Sequence, residues 1–210
     1  MRMRVIQRTL LGILFSGIAW ATTANAAEKH EIATFAGGCF WCVESDFDGV
    51  PGVLKTISGY TGGLMKAPSY QQVVAGGTGH IEAVQIHFDP KKVSYKKLLD
   101  VFWRTVDPTD GGGQFCDRGH SYSTAIFANS PEQKKAAEAS KKMLAESKIL
   151  DKPIVTPIRE ARPFYPAEDY HQDYYKKNPL QYKFYRYGCG RDAKVKALWG
   201  DEARKGIEKH

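Results

Sequence analysis

Four cysteines, at positions 39, 42, 116 and 189, are the residues of this chain best suited to covalent chemistry. Two of them fall within Gly37-Gly38-Cys39-Phe40-Trp41-Cys42. The paired glycines let the backbone turn tightly and approach a ligand closely. The residues that follow, 43–48, can continue as a helix, which puts Cys39 at or near a helix N-terminus. The partial positive charge there favours thiolate over thiol and lowers the cysteine pKa. An isolated cysteine is most often a small buried hydrophobe, so the case for a nucleophile depends on what surrounds it. Four cysteines admit three complete pairings, and the sequence alone does not choose among them.

Other residues could serve such a thiol. Glu82 falls on the same face of a strand as Val84, Ile86 and Phe88. A carboxyl group there is either partly desolvated, which raises its pKa and leaves it a proton donor, or frayed into water at the strand entry. Tyr70 and Tyr122 can donate phenolic hydrogen bonds, and Phe40 and Trp41 can form an apolar wall beside Cys39. Cys189 stands between Gly188 and Gly190, on a segment read as mobile and accessible. No histidine is required by this set, which disfavours a papain-like hydrolase with its thiol–imidazole pair. A nucleophilic thiol, proton donors and a second accessible thiol suit redox chemistry through a sulfenic acid. The glycine-rich stretch Asp110-Gly111-Gly112-Gly113-Gln114-Phe115-Cys116-Asp117 lacks the lysine-serine or lysine-threonine ending of a phosphate loop.

The elements that must position these residues follow from periodicity and turn chemistry. Strands are expected over 28–36, 53–60, 81–89, 122–128 and 154–158, the third with the clearest alternation. Helices are expected after Cys39, over 68–74, after the capping Ser94 with Leu98, Leu99, Phe102 and Val106 as the buried stripe, and from Ser130-Pro131 to 147. A short helix is expected over 168–177. The aromatic and basic run 182–187 reads as a docking segment for the tail, and 191–210 as helical or frayed.

With 210 residues, 42% hydrophobic and 25% charged, the chain has enough apolar material for one domain with a sizeable core. Residues 1–26 stand apart. Arg2, Arg4 and Arg8 form a basic start, 10–20 is a short apolar run, and Ala24-Asn25-Ala26 is a small-residue cleavage site. This is the pattern of a signal peptide, the apolar run being too short for a membrane span. Cleavage removes three arginines and no acids, taking the formal charge from +7 to +4. The remaining charges are interspersed, so they do not mark a nucleic-acid partner. Export, to a periplasm or beyond the cell, and an oxidising compartment are the corresponding expectations. Stable membrane insertion after signal removal is not expected.

Gly37-Gly38-Cys39-Phe40-Trp41, Ser58-Gly59-Tyr60-Thr61-Gly62-Gly63, Pro68-Ser69-Tyr70, Gly79-His80-Ile81-Glu82, Asp107-Pro108-Thr109 and Cys116-Asp117-Arg118-Gly119 before Tyr122 stand in order with short spacings. Together they resemble the peptide methionine sulfoxide reductase A family, over about residues 32–190 within a domain of 27–210. The resemblance implies a two-layer α/β sandwich with a mixed sheet and packed helices, of ferredoxin-like type. It implies reduction of the S epimer of free or peptide-bound methionine sulfoxide, and so repair of oxidised protein. Cys39 would attack the sulfoxide sulfur. Glu82, Tyr70 and Tyr122 would hydrogen-bond the oxygen, Glu82 supplying a proton, while Phe40 and Trp41 would hold the methyl group. Asp117 would support the site. Cys189 would resolve the Cys39 sulfenic acid as a Cys39–Cys189 disulfide, for a thioredoxin-like protein to reduce. No metal or organic cofactor is implied.

The sequence departs from the common pattern at two places. Cys42 stands where glycine is frequent, and Ser123 where arginine often follows the tyrosine. Cys42 could compete as resolver, or pair with Cys116 in a second disulfide. The Cys39-x-x-Cys42 spacing also admits a thiol–disulfide oxidoreductase as a rival reading. A structural zinc site built from the four cysteines is disfavoured, because only one Cys-x-x-Cys pair is present.

Overall fold

Residues 30–208 are described by a computed structural model of the chain. The segment 1–26, read as a signal peptide, lies outside them. β1 (Glu31–Gly37) delivers the chain to α1 (Phe40–Asp48), and β2 (Val53–Thr61) returns. A short α2 (Tyr70–Ala75) precedes β3 (Ile81–Phe88), and α3 (Tyr95–Trp103) follows it. A small ribbon of β4 (Gly113–Gln114) and β5 (Asp117–Arg118) and a 3₁₀ turn at His120–Tyr122 lead into β6 (Thr124–Ala128). Then come α4 (Pro131–Glu146), β7 (Ile158–Glu160), β8 (Tyr165–Pro166), α5 (Tyr174–Lys177), α6 (Pro179–Gly188) and α7 (Arg191–Trp199).

Six strands form one sheet in the order β7-β6-β1-β3-β2-β8. All pairs are antiparallel except β6 with β7, so the sheet is mixed. Its centre is a β-α-β-β-α-β unit, β1-α1-β2-β3-α3-β6, with strands ordered β6-β1-β3-β2. β3 thus lies between β1 and β2, the split β-α-β arrangement of ferredoxin-like folds. The helices pack on one face, where Phe35, Val84, Ile86 and Phe88 meet Phe47, Leu98, Leu99 and Phe102 in one buried cluster. The Phe35 ring lies 5.0 Å from that of Phe102 and 5.5 Å from that of Phe47. Burying each such side chain contributes roughly 1.5–3 kcal/mol. On the other face Ala36, Ile81, Ala83, Ala125 and Phe127 form a smaller cluster against Phe164.

Caps fix where the helices begin. Ser94 and Ser130 accept hydrogen bonds from the backbone N–H of Lys97 and Gln133, and Ser69 forms a reciprocal capping box with Gln72. α1 is held by charge as well as by packing. Its Asp46 is fully buried and pairs with Arg186 of α6 at 2.9 Å and with Arg204 at 3.0 Å.

Several expected elements are displaced. The strand expected over 154–158 forms instead at Ile158–Glu160, because Pro157 has no N–H for a sheet ladder. The strand expected from 122 starts at Thr124, since Tyr122 closes the 3₁₀ turn. The helix expected over 168–177 is confined to α5, which begins only after Asp173, a residue at φ 54°. The aromatic run 182–187 is the body of α6, burying Tyr182 and Arg186. Cys189 is not on a free segment: it caps α6, its N–H bonded to the Tyr185 carbonyl at 2.8 Å. No helix among the described residues is long and apolar enough to cross a membrane.

Candidate active site

Strand register gathers the sequence-predicted residues at one end of the sheet. Gly37, the last residue of β1, pairs with Thr124 at the start of β6, and Tyr60 pairs with Glu82 at the start of β3. The glycine turn, Glu82 and Tyr122 therefore share an edge. Gly38 makes the turn possible. Its φ is +82°, and a Cβ there would lie 2.5 Å from the Cβ of Gln114. Gln114 is buried and fixed, accepting from the Asp107 N–H and donating to the carbonyls of Asp107 and Gly113.

Cys39 is the N-cap of α1, as expected, but its thiol is not acidified. Burial, then the hydrogen bond and charge of Cys42, then the charge of Glu82 push its pKa well up, with a hydrogen bond from Tyr185 pulling the other way. The expectation of a lowered value is thus corrected: in a site 6% exposed, burial disfavours the charged form. The acidic thiol is Cys42, one turn further into α1. Its hydrogen bond with Cys39 draws it down to about 7 against burial, helped by Arg191 and Arg186.

Glu82 is 1% exposed, so of the two readings left open by the strand pattern it is the buried one. Its carboxyl accepts the Phe40 N–H at 2.9 Å, the first N–H of α1. Burial nevertheless dominates and raises its pKa well above the ordinary carboxyl range, so Glu82 is a proton donor at neutral pH. Tyr122 donates to the hydroxyl of Tyr70, and burial pushes both phenols up. Cys39, Phe40, Trp41, Tyr70, Glu82, Asp117, Tyr122 and Tyr185 line one pocket of about 60 Å³. That is room for only a few water-sized groups. All seven residues expected to act on or hold the substrate are in it.

Several supporting residues were missed in the sequence. Tyr185 of α6 donates its hydroxyl proton to the Oδ2 of Asp117, and the same hydroxyl is in hydrogen-bonding contact with Cys39. Asp117 is raised by burial, partly offset by that bond and by Arg191. His171 accepts the Trp41 indole N–H at 3.1 Å through Nδ1, and burial keeps its ring neutral. Trp41 is stacked on Tyr174 at 3.7 Å between ring centres. Glu168 accepts from the Tyr60 hydroxyl and the Tyr70 N–H, both at 2.8 Å, which hold it ionised despite burial. Arg191 donates to the carbonyls of Gly37 and Thr105, pinning the glycine turn from behind. The only signal for these lay in polar residues interleaved with tyrosines and glycines over 168–191, which carries no spacing of its own.

The cysteines pair differently from either expected disulfide. Cys116 is bonded to Cys189, and Cys39 and Cys42 are free and buried. The Cys42–Cys116 pairing is therefore corrected. Cys42 faces inward, packed with Cys39 and Tyr182 beneath α6, whereas Cys116 is exposed on the turn between β4 and β5. Nor does the structure join Cys39 to Cys189. Among the described residues, one group has the spacing of metal ligands: Cys116, Asp117 and Cys189. Two of its three ligand atoms are the disulfide sulfurs, and the four cysteines do not converge on one centre.

A family model described as peptide methionine sulfoxide reductase matches residues 31–203. The peptide methionine sulfoxide reductase MsrA of Bacillus licheniformis is 58% identical over 174 residues, covering 83% of this chain and 96% of the relative. The corresponding protein of Bacillus subtilis is 57% identical, covering 83% and 98%. Among solved structures, Mxr1 from Saccharomyces cerevisiae in reduced form superposes with a TM-score of 0.66 at 31% identity, covering 72% of this chain and 87% of that one. Methionine sulfoxide reductase A of Corynebacterium diphtheriae gives 0.65 at 32% identity, covering 74% and 78%.

Proposed function

The chain belongs to the peptide methionine sulfoxide reductase A family and is a thiol-dependent peptide-methionine (S)-S-oxide reductase; we propose that the residues of the pocket divide its chemistry as follows. Cys39 attacks the sulfoxide sulfur. Glu82 passes its proton to the sulfoxide oxygen, which Tyr70 and Tyr122 also hydrogen-bond as negative charge develops there. Phe40 and the indole of Trp41, fixed by His171 and Tyr174, hold the methyl group and so set which epimer presents its oxygen to Glu82. Asp117 acts through Tyr185, accepting its hydroxyl proton and so holding the hydroxyl oxygen beside Cys39. Methionine leaves, and the oxygen remains on Cys39 as a sulfenic acid. Cys189 then draws the oxidation off Cys39 as a disulfide, and a thioredoxin-like dithiol protein reduces it. Only the side chains of this protein and the external dithiol take part in these steps.

The observation that carries this reading is the convergence of a thiol, a protonated carboxyl, two phenols and an aromatic wall in one pocket of about 60 Å³. It also weighs against a thiol–disulfide oxidoreductase, whose protein substrates would have to reach a sulfur only 6% exposed. The test is turnover of the two epimers of a methionine sulfoxide peptide with dithiothreitol. Consumption of the S form, lost in Cys39→Ser, is expected. Preference for the R form, or activity surviving that substitution, would refute it.

We further propose that 1–26 is removed on export, which places the enzyme in a periplasm or outside the cell, where it repairs oxidised methionine in proteins. The basic start, apolar run and Ala24-Asn25-Ala26 support this. Mass analysis of the protein recovered from fractionated cells should find a chain beginning at Ala27, and an intact Met1 in the cytoplasmic fraction would refute it.

A further inference from the structure

The C-terminal end of α6 gathers a second cluster of groups able to bind a ligand. Among the described residues, Cys116, Asp117 and Cys189 each bring one ligand atom, all within 4.8 Å of one another. Cys116 lies on the turn between β4 and β5, Asp117 opens β5, and Cys189 caps α6. In this structure the two sulfurs are joined as a disulfide. The Cys189 Sγ lies 3.9 Å from Oδ2 of Asp117 and accepts the Cys116 N–H at 3.1 Å. Asp117 is held in its turn by the Tyr185 hydroxyl.

Two thiolates and a carboxylate are a donor set that suits zinc. This borderline-soft ion takes sulfur and oxygen together, whereas magnesium and calcium select oxygen. With Zn–S arms of about 2.3 Å and Zn–O arms of about 2.0–2.2 Å, a tetrahedral centre sets sulfur and oxygen roughly 3.5 Å apart and two sulfurs roughly 3.8 Å apart. The separation of Cys189 and Asp117 is already near the first value. Only the second demands movement, and both cysteines can supply it. Cys116 is exposed and follows Phe115, at φ 55°, while Cys189 stands between Gly188 and Gly190, the latter at φ +68°. The hydrogen bonds that orient ligands in metal sites are also in place, from the Cys116 N–H to the Cys189 sulfur and from Tyr185 to Asp117. The negative charge left over once zinc is bound is offset by Arg191, whose guanidinium acts on Asp117. A cavity of about 290 Å³ beside Cys189, lined by Asp107, Asp110, Phe115 and Lys194, has space for water as the fourth ligand.

We propose that Cys116, Cys189 and Asp117 form a zinc site that reduction opens and disulfide formation closes. Reduction by an external dithiol breaks the S–S bond. Two electrons and two protons pass to the cysteine sulfurs, and the dithiol becomes a disulfide. Zinc then displaces the two thiol protons. Two Zn–S bonds and a Zn–O bond form, no electron moves, and the ion stays divalent. The S–S bond and the ion need the same two sulfurs, so they exclude each other. The site does not rest on the chemistry of the buried pocket, but it shares Asp117 with it. A bound ion sits one hydrogen bond from Tyr185, whose hydroxyl lies beside Cys39. Zinc on the outer cysteines therefore acts on a residue that also lines the pocket.

The test uses the full chain, reduced with a phosphine, desalted without air and titrated with Co²⁺, whose sulfur-to-metal charge-transfer band reports bound thiolate. Zn²⁺ is then titrated against a chromophoric chelator to give its affinity. The reduced chain is expected to bind about one Co²⁺ with tetrahedral visible bands that Zn²⁺ abolishes, and the chain with Cys116–Cys189 intact to bind none. Cys39→Ser/Cys42→Ser should keep the band, which places it away from the buried thiols. Cys116→Ser should lose at least about 100-fold in Zn²⁺ affinity, and Tyr185→Phe about 10–100-fold, the usual worth of an outer hydrogen-bond partner. No band on reduction, equal binding by the oxidised chain, or a band that survives Cys116→Ser and vanishes in Cys39→Ser/Cys42→Ser would overturn the site. Unchanged affinity in Asp117→Asn would overturn the carboxylate as a ligand, and the three-ligand site with it. Because these readouts are optical, they are independent of turnover of the S epimer, which tests the pocket.

Discussion

Replacing Glu82 by glutamine should change activity and stability in opposite directions. The carboxyl is 1% exposed, accepts only the Phe40 N–H among the hydrogen bonds described, and has a pKa raised well above its ordinary 4.5 by burial. A group whose folded pKa lies above its unfolded value lowers stability as pH rises from the unfolded pKa towards the folded one. Below 4.5 both states hold the proton and there is no penalty. At pH 7 the unfolded chain has released it, and folding must put it back. At 1.36 kcal/mol per pH interval this costs at most about 3 kcal/mol. Glutamine never ionises, and its carbonyl can still accept from Phe40. Its Tm relative to wild type should therefore climb between pH 4 and pH 7, by up to about 5–10 °C for a domain of this size. Any cost of burying the amide N–H groups is independent of pH, so the slope of the difference is the quantity to read. Over the same range kcat/KM should fall by about 10²–10⁴, the usual worth of a general acid. Calorimetry of both proteins across that pH range, with initial rates on the S epimer, checks both halves. A Tm difference that does not change with pH would refute the buried neutral carboxyl, and wild-type rates would refute its role as acid.

Gly38→Ala should destabilise the fold by about 2–5 kcal/mol, combining a left-handed backbone with overpacking against the fixed Gln114, and denaturant unfolding would show it. In Tyr185→Phe, Cys39 loses a hydroxyl contact that lowers its pKa, so the rise of its alkylation rate with pH should move to higher pH; an unchanged profile would exclude that contact. The oxidised protein should be more stable than the reduced one by about 4 kcal/mol, because Cys116–Cys189 closes a loop across a sequence separation of 73. Thermal unfolding with and without dithiothreitol reads this, and equal midpoints would count against it.

The central strands were legible because each alternates or follows a glycine turn, and the helices α3 and α4 because a capping serine opens an apolar stripe. The peripheral strands were not. β7 and β8 are short pieces of 3 and 2 residues whose positions are set by partners in the sheet, Ile126 with Ile158 and Tyr60 with Tyr165. No local pattern announces a pairing of that length. The stretch 168–173 has helix-forming residues, but its side chains are committed elsewhere: Glu168 to Tyr60 and Tyr70, His171 to Trp41, Gln172 to the backbone of Ser58. Tertiary contacts there outweigh local propensity.

The same division explains what was misjudged at Cys42. Types and spacing located the pocket, since Cys39, Glu82, Tyr70 and Tyr122 are each tied to a local turn or strand. Charge could not be located that way. The Cys42 thiol is lowered first by its hydrogen bond with Cys39 and then by Arg191 and Arg186, which lie more than 140 positions further along and pair with the buried Asp46 of α1. A helix terminus suggested that Cys39 should be the acidic thiol. The hydrogen bond between the thiols, helped by two distant guanidinium groups, lowers its neighbour instead. The Cys-x-x-Cys spacing, which in the sequence admitted a rival reading, is therefore the local trace of a hydrogen-bonded thiol pair whose charge is also tuned from the far end of the chain.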